Sequence, residues 1–132
     1  MSEMEPDHEA EVDYGMPSAP LRRLQMDEEI VQEIAEEMGR QFELFGEQNH
    51  PAVFDDDQLK HWAMAADMWK RINTKRVEDG TLSWDGIALE AVFETLGESD
   101  AVARIDECIQ AAAVFATWAL CERRRLTRPG AV

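Results

Sequence analysis

From Cys108 to Cys121 the chain reads CIQAAAVFATWALC, fourteen residues without a charge. At ~100° per residue, a helix over this stretch puts Ile105, Cys108, Ile109, Ala112, Ala116, Ala119 and Leu120 on one stripe. The opposite side carries Ala111, Val114, Trp118 and Cys121 where polar residues belong on a surface helix. A helix apolar nearly all round is predicted to be buried on both sides, inside a bundle or in a subunit interface. The run is too short for a bilayer, which needs roughly 20 residues. The two cysteines, about 20 Å apart along one helix, cannot pair with each other.

The rest of the chain has the same helical period. A first helix is expected from Asp27 to Phe45, with Ile30, Val31, Ile34, Ala35, Met38, Phe42 and Phe45 as its stripe and Gly46 as its stop. A second starts at Asp56 or Asp57 and ends at Gly80, a third spans Trp84 to Leu96 behind Ser83, and the fourth runs from Ser99 or Asp100 to about Arg124. The short connections predict an all-α fold, an antiparallel four-helix bundle. Residues 1 to 24 are acidic and rich in proline near the start, and read as a flexible, disordered tail with Tyr14 and Met16 as docking points. Residues 25 to 126 form the helical domain, and 127 to 132 fray.

With 132 residues the chain is one domain in length, yet 28 acidic residues face only 13 Lys and Arg, a net charge of -15. That balance disfavours duplex nucleic acid and anionic membranes. The N-terminus has no basic start followed by an apolar core, so a cytoplasmic location is expected.

LEAVFE, residues 89 to 94, sets Glu90 and Glu94 one turn apart on the third helix. Glu107 and Gln110 lie at i and i+3 early in the fourth, on a side with no solvated stripe to explain them. Glu107 has a plain reading as an acid favoured by the helix dipole in the first turns. In the other reading it faces Glu90 and Glu94 across the 97 to 100 connection, because Glu90 lies seven residues before Gly97 and Glu107 seven after Asp100. Carboxylates converging from neighbouring helices make an oxygen-rich hole suited to a hard cation, Mg²⁺ or Mn²⁺. Bound cations would also let so acidic a chain hold a nucleoside triphosphate.

Three stretches together are similar to the MazG-like group of all-alpha nucleoside triphosphate pyrophosphohydrolases, in particular its actinobacterial and phage branch. They are EMGRQFELFGEQNHP at 37 to 51, KRINTKRVEDGTLSWDGIALEAVFETLGESD at 70 to 100, and RIDECIQAAAVFATWAL at 104 to 120. The resemblance implies a bundle in which an EExxE motif and a later ExxD motif hold Mg²⁺, and a metal-activated water attacks the phosphate chain to release pyrophosphate. It also implies a homodimer or homotetramer. Carried over, EExxE falls on Glu90, Ala91 and Glu94, and ExxD on Glu107 and Gln110. Ala91 and Gln110 depart from the pattern. Gln110 still offers a carbonyl oxygen, whereas Ala91 offers nothing and lies in the stripe of Trp84, Ile87, Ala88 and Thr95.

Lys70, Arg71, Lys75 and Arg76 are the basic cluster of the second helix, read either as surface charge or with Lys70 or Lys75 on phosphate and Asn73 on a base or ribose edge. Trp62, Trp69, Trp84 and Trp118 fit helical stripes as core, with stacking on a base as the other use. His50 and His61 lack metal-ligand spacing. The expected function is Mg²⁺-dependent cleavage of a nucleoside triphosphate. The alternative is a bundle with a decayed site that senses nucleotides or binds a protein partner.

Overall fold

The structure, a computed structural model, describes residues 19 to 128. Four helices make up its regular structure, α1 (Ala19–Phe45), α2 (Asp56–Asp79), α3 (Trp84–Leu96) and α4 (Ala101–Thr127), and no strand occurs among the described residues. Contacts divide the chain after Gly46 into two compact units, the first holding α1 and the second α2 to α4, so the expected 25 to 126 domain spans both. Among the described residues no helix is long and apolar enough to cross a membrane.

α1 begins at Ala19, eight residues before the expected Asp27, and so takes in the part of the expected tail from Ala19 to Leu24. Pro20 does not prevent this, because a proline in the first turn lacks only an N–H that the helix would leave unpaired. Tyr14 and Met16, the suggested docking points, lie outside the described residues, as do 129 to 132.

The ends of α2 to α4 follow from local chemistry. Asp55 caps α2 by accepting from the Gln58 backbone N–H at 3.0 Å, and Gly80, with φ 73°, closes it through N–H bonds to Arg76 and Val77. Asp100 caps α4 by accepting from Ala103 N–H at 2.8 Å. Ser83 sits at the N-cap of α3, but its hydroxyl donates to Asp85 instead of capping the backbone. The Arg104 guanidinium donates twice to the Glu98 carbonyl, at 3.0 and 2.7 Å, and pins the connection between α3 and α4.

α3 packs against α2 on one side and α4 on the other. Trp62 of α2 stacks on Phe93 with ring centroids 5.6 Å apart, and Trp84 stacks on Trp118 of α4 at 6.0 Å. Gly97 is required where α3 ends against α2, since a Cβ there would lie 2.7 Å from the Ala63 Cα and N. Every residue of α3 except Asp85 is buried or half-buried.

Within the second unit, α3 is the helix flanked on both sides. The sequence places α4 either inside a bundle or in a subunit interface; within the second unit α4 packs on α3, with Glu107, Ala111, Val114 and Trp118 half-buried, and Leu120, on the opposite stripe, is buried. Val102, Ile105 and Ile109 are exposed, Val102 by 72%. The Trp118 contact with Trp84 fixes the side of α4 that faces α3, since a stacked pair of tryptophans buries a large apolar area.

Candidate functional site

α2 and α4 flank α3 without meeting each other, which leaves a cleft of about 460 Å³ over α3. Lys70, Asn73 and Thr74 line it from α2, Glu90, Ala91 and Glu94 from α3, and Glu107 and Gln110 from α4. The acids of two helices thus face one space, with Lys70 as the only basic side chain on its walls among the described residues. Glu94 and Glu107 also border a smaller cleft beside Ala63, Ala66 and Gly97.

Partial burial, together with the charges of Glu90 and Glu107, pushes the Glu94 carboxyl above its ordinary value, and Lys70 opposes the shift. Glu94 thus feels the charges of the other three. Among the described residues, however, no three or more His, Cys, Asp and Glu stand together as a ready metal cage. The donor chemistry of the cleft, carboxylate and amide oxygen, suits a hard cation and not a soft one.

Asn73 is 7% exposed, and both protons of its amide are spent. Its Nδ2 donates to the Gly86 carbonyl at 2.9 Å and to Glu90 Oε1 at 2.8 Å, so it ties α2 to α3 and holds one oxygen of Glu90. The Asn73 Oδ1 is buried without a hydrogen-bond partner. It lies 2.3 Å from where a Cβ on Gly86 would be, which is why this helix carries a glycine in its first turn. The reading of Asn73 as a group for a base or ribose edge is corrected on this ground, since its donors are committed inside the protein.

The other basic residues turn away from the cleft. Lys75 Nζ lies 3.6 Å from Asp79 and is not on the cleft walls, contrary to a phosphate role. Arg71 pairs with Asp67. Arg76 bonds Asp85 at 3.1 Å and covers the Trp69 ring. None of the four tryptophans lines the cleft. His50 contacts Gln48 in an exposed loop, and His61 is exposed.

Sequence reasoning missed the far end of the cleft, where Val77, Leu82, Ile87 and Val114 form the lining. It also missed the structural use of Asn73 and Gly86. A signal was present in the latter, because a glycine inside a helix costs about 1 kcal/mol relative to alanine and often marks a close approach.

Compared with protein families, curated proteins and solved structures, the chain matches none.

Proposed function

We propose that this chain is a Mg²⁺-dependent hydrolase of the MazG-like, all-alpha pyrophosphohydrolase type, built on an antiparallel four-helix bundle. It cleaves a (deoxy)nucleoside triphosphate between the α and β phosphates, with water adding to the α phosphorus and pyrophosphate leaving. The observation that carries this reading is the meeting of Glu90, Glu94, Glu107, Gln110 and Lys70 from three helices on the walls of one cleft.

In this reading Glu90, Glu94 and Glu107 hold the cation, and Gln110 adds a carbonyl oxygen. When bound, Mg²⁺ supplies Lewis-acid polarisation of phosphate oxygens. An ion of this kind commonly retains waters and takes phosphate oxygens, so Glu90, Glu94 and Glu107 would not need to close a cage around it. Lys70 neutralises phosphate charge directly. Asn73 keeps Glu90 in place, and its hydrogen bond leaves the second carboxylate oxygen of Glu90 for the cation.

Self-association as a homodimer or homotetramer belongs to the same reading. Its support is the exposed row of Val102, Ile105 and Ile109 on α4, an apolar surface that a second copy would cover. Sedimentation is expected to show a dimer or tetramer, and a clean monomer counts against it.

The decisive assay incubates purified protein with a panel of dNTPs and Mg²⁺ and measures pyrophosphate. Release above that of a Glu94→Ala, Glu107→Ala variant is expected, and equal release sinks the proposal. One observation favours a second reading, a catalytically weak nucleotide sensor or protein-interaction module: Ala91 sits in the cleft wall and supplies no ligand. A Mg²⁺-dependent rise in melting temperature without turnover would select the sensor.

A further inference from the structure

Within the first unit, α1 carries an apolar row that is open. Ile30, on one flank of the helix, is only 6% exposed. Beside it Leu24, Val31, Met38 and Phe45 are all exposed, Met38 by 66%, and they stand seven residues apart. Such a row drifts by only ~20° per repeat around a helix and runs nearly straight for about 30 Å. A straight apolar row with this repeat is the seam along which a second helix packs, knobs into holes. At its N-terminal end a groove of about 370 Å³ is lined by Leu24, Asp27, Glu28, Val31 and Gln32. With Leu24 and Val31 counted as a positions, Asp27 and Glu28 are d and e, and these four residues form one hole for a knob from a facing helix.

Two apolar side chains and two carboxylates around one hole suit a lysine or arginine, whose stem lies on apolar surface while its charge reaches the acids. The charge of the whole helix favours the same partner. Between Ala19 and Phe45 seven acids face three arginines. Arg40 donates twice to Glu37 and Arg23 lies 3.6 Å from Asp27, whereas Glu28 has no partner among the described residues. The α1 helix of a second copy would bring the same acids to the same seam, and like charges set against each other suppress that pairing. A helix with Lys and Arg on the flanks of an apolar seam meets attraction instead.

We infer that the row of Leu24, Val31, Met38 and Phe45 is a docking surface for a basic amphipathic helix of another protein. The partner helix carries apolar residues at the same repeat and Lys or Arg beside them, one of which enters the groove at Asp27 and Glu28.

Fluorescence anisotropy with the full chain tests it, using a labelled synthetic helix of three heptads that has leucine along its seam and lysine on its flanks, and a second with glutamate in place of lysine. The lysine helix is expected to bind about tenfold more tightly than the glutamate helix, or better. Val31→Gln and Met38→Gln, neutral changes at exposed positions, are each expected to weaken it roughly tenfold. Met64→Gln, at an exposed methionine of α2, is expected to leave binding unchanged. Glu28→Gln should weaken binding and lessen its dependence on salt. No binding of the lysine helix, or equal binding of the two helices, overturns the surface. Binding that survives both Val31→Gln and Met38→Gln would mean attraction by net charge alone and overturns it as well. If either variant without peptide melts more than about 5 °C below the wild type, the row is already covered and the surface is overturned. Self-association in sedimentation that Met38→Gln abolishes assigns the row to a second copy and overturns the basic partner.

Discussion

Asn73 Nδ2 donates to Glu90 Oε1 at 2.8 Å, so a buried amide on α2 fixes a carboxylate on α3 that lines the cleft. The same nitrogen bonds the Gly86 carbonyl. Replacement by alanine removes both bonds and strands two acceptors in a half-buried setting. Asn73→Ala is therefore expected to lower unfolding stability by about 1 to 3 kcal/mol in urea titration. Asn73→Asp should be worse, since it sets a carboxylate against Glu90.

Gly86 and Asn73 are expected to be coupled. A methyl on Gly86 would meet Asn73 Oδ1 at 2.3 Å and the Arg76 guanidinium at 2.8 Å, so Gly86→Ala must displace one of them. Overpacking of this kind costs about 1 to 3 kcal/mol. In an Asn73→Ala background the main obstacle is gone, and the added cost of Gly86→Ala should fall. Additive losses in a double-mutant cycle would contradict the contact.

The helices and their stops were legible in the sequence because Gly80, Asp100 and the apolar period act locally. The meeting of Glu90, Glu94 and Glu107 in one cleft was also foreseeable, since short connections fix which helices are neighbours. The environment of α4 was not. Periodicity shows that both its sides are apolar, but which side faces α3 depends on Trp84, 24 residues before the uncharged run begins. Asn73 was misjudged for a similar reason: a polar residue among lysines looks solvated until the helix facing it is known. Lys70 and Lys75 have the same chemistry, and only their angular positions on α2 separate them.

Glu94 makes apo stability depend on pH. Its folded-state pKa lies above the unfolded value, so the folded protein holds the proton more tightly, and its contribution to stability falls as pH rises through and just above the ordinary glutamate value. Glu94→Gln, measured with a chelator present, should flatten this decline in melting temperature and raise stability at neutral pH. A steeper decline in the variant would show that Glu94 is not the strained group.

Lys70 and Lys75 should respond differently to the same change. Lys70 lines the cleft, whereas Lys75 pairs with Asp79 on the surface. Lys70→Ala is expected to weaken Mg²⁺-nucleotide binding roughly tenfold, the scale of one charge-assisted contact, and Lys75→Ala to leave it unchanged. Equal effects would place the phosphates elsewhere.

Ala91 gives the sharpest test of the cation. It lies in the cleft wall between Glu90 and Glu94, and a carboxylate there would be added beside Glu94, whose pKa burial and the charges of Glu90 and Glu107 already raise. Without metal, Ala91→Glu should therefore lower stability. With Mg²⁺ the added oxygen ligand should reverse the order, and a tenfold gain in affinity adds about 1.4 kcal/mol of stabilisation at fixed free metal. Melting temperature measured across a Mg²⁺ titration reads both effects in one experiment. A loss of stability that no concentration of Mg²⁺ or Mn²⁺ recovers would mean that the acids of α3 and α4 share a cleft without sharing an ion.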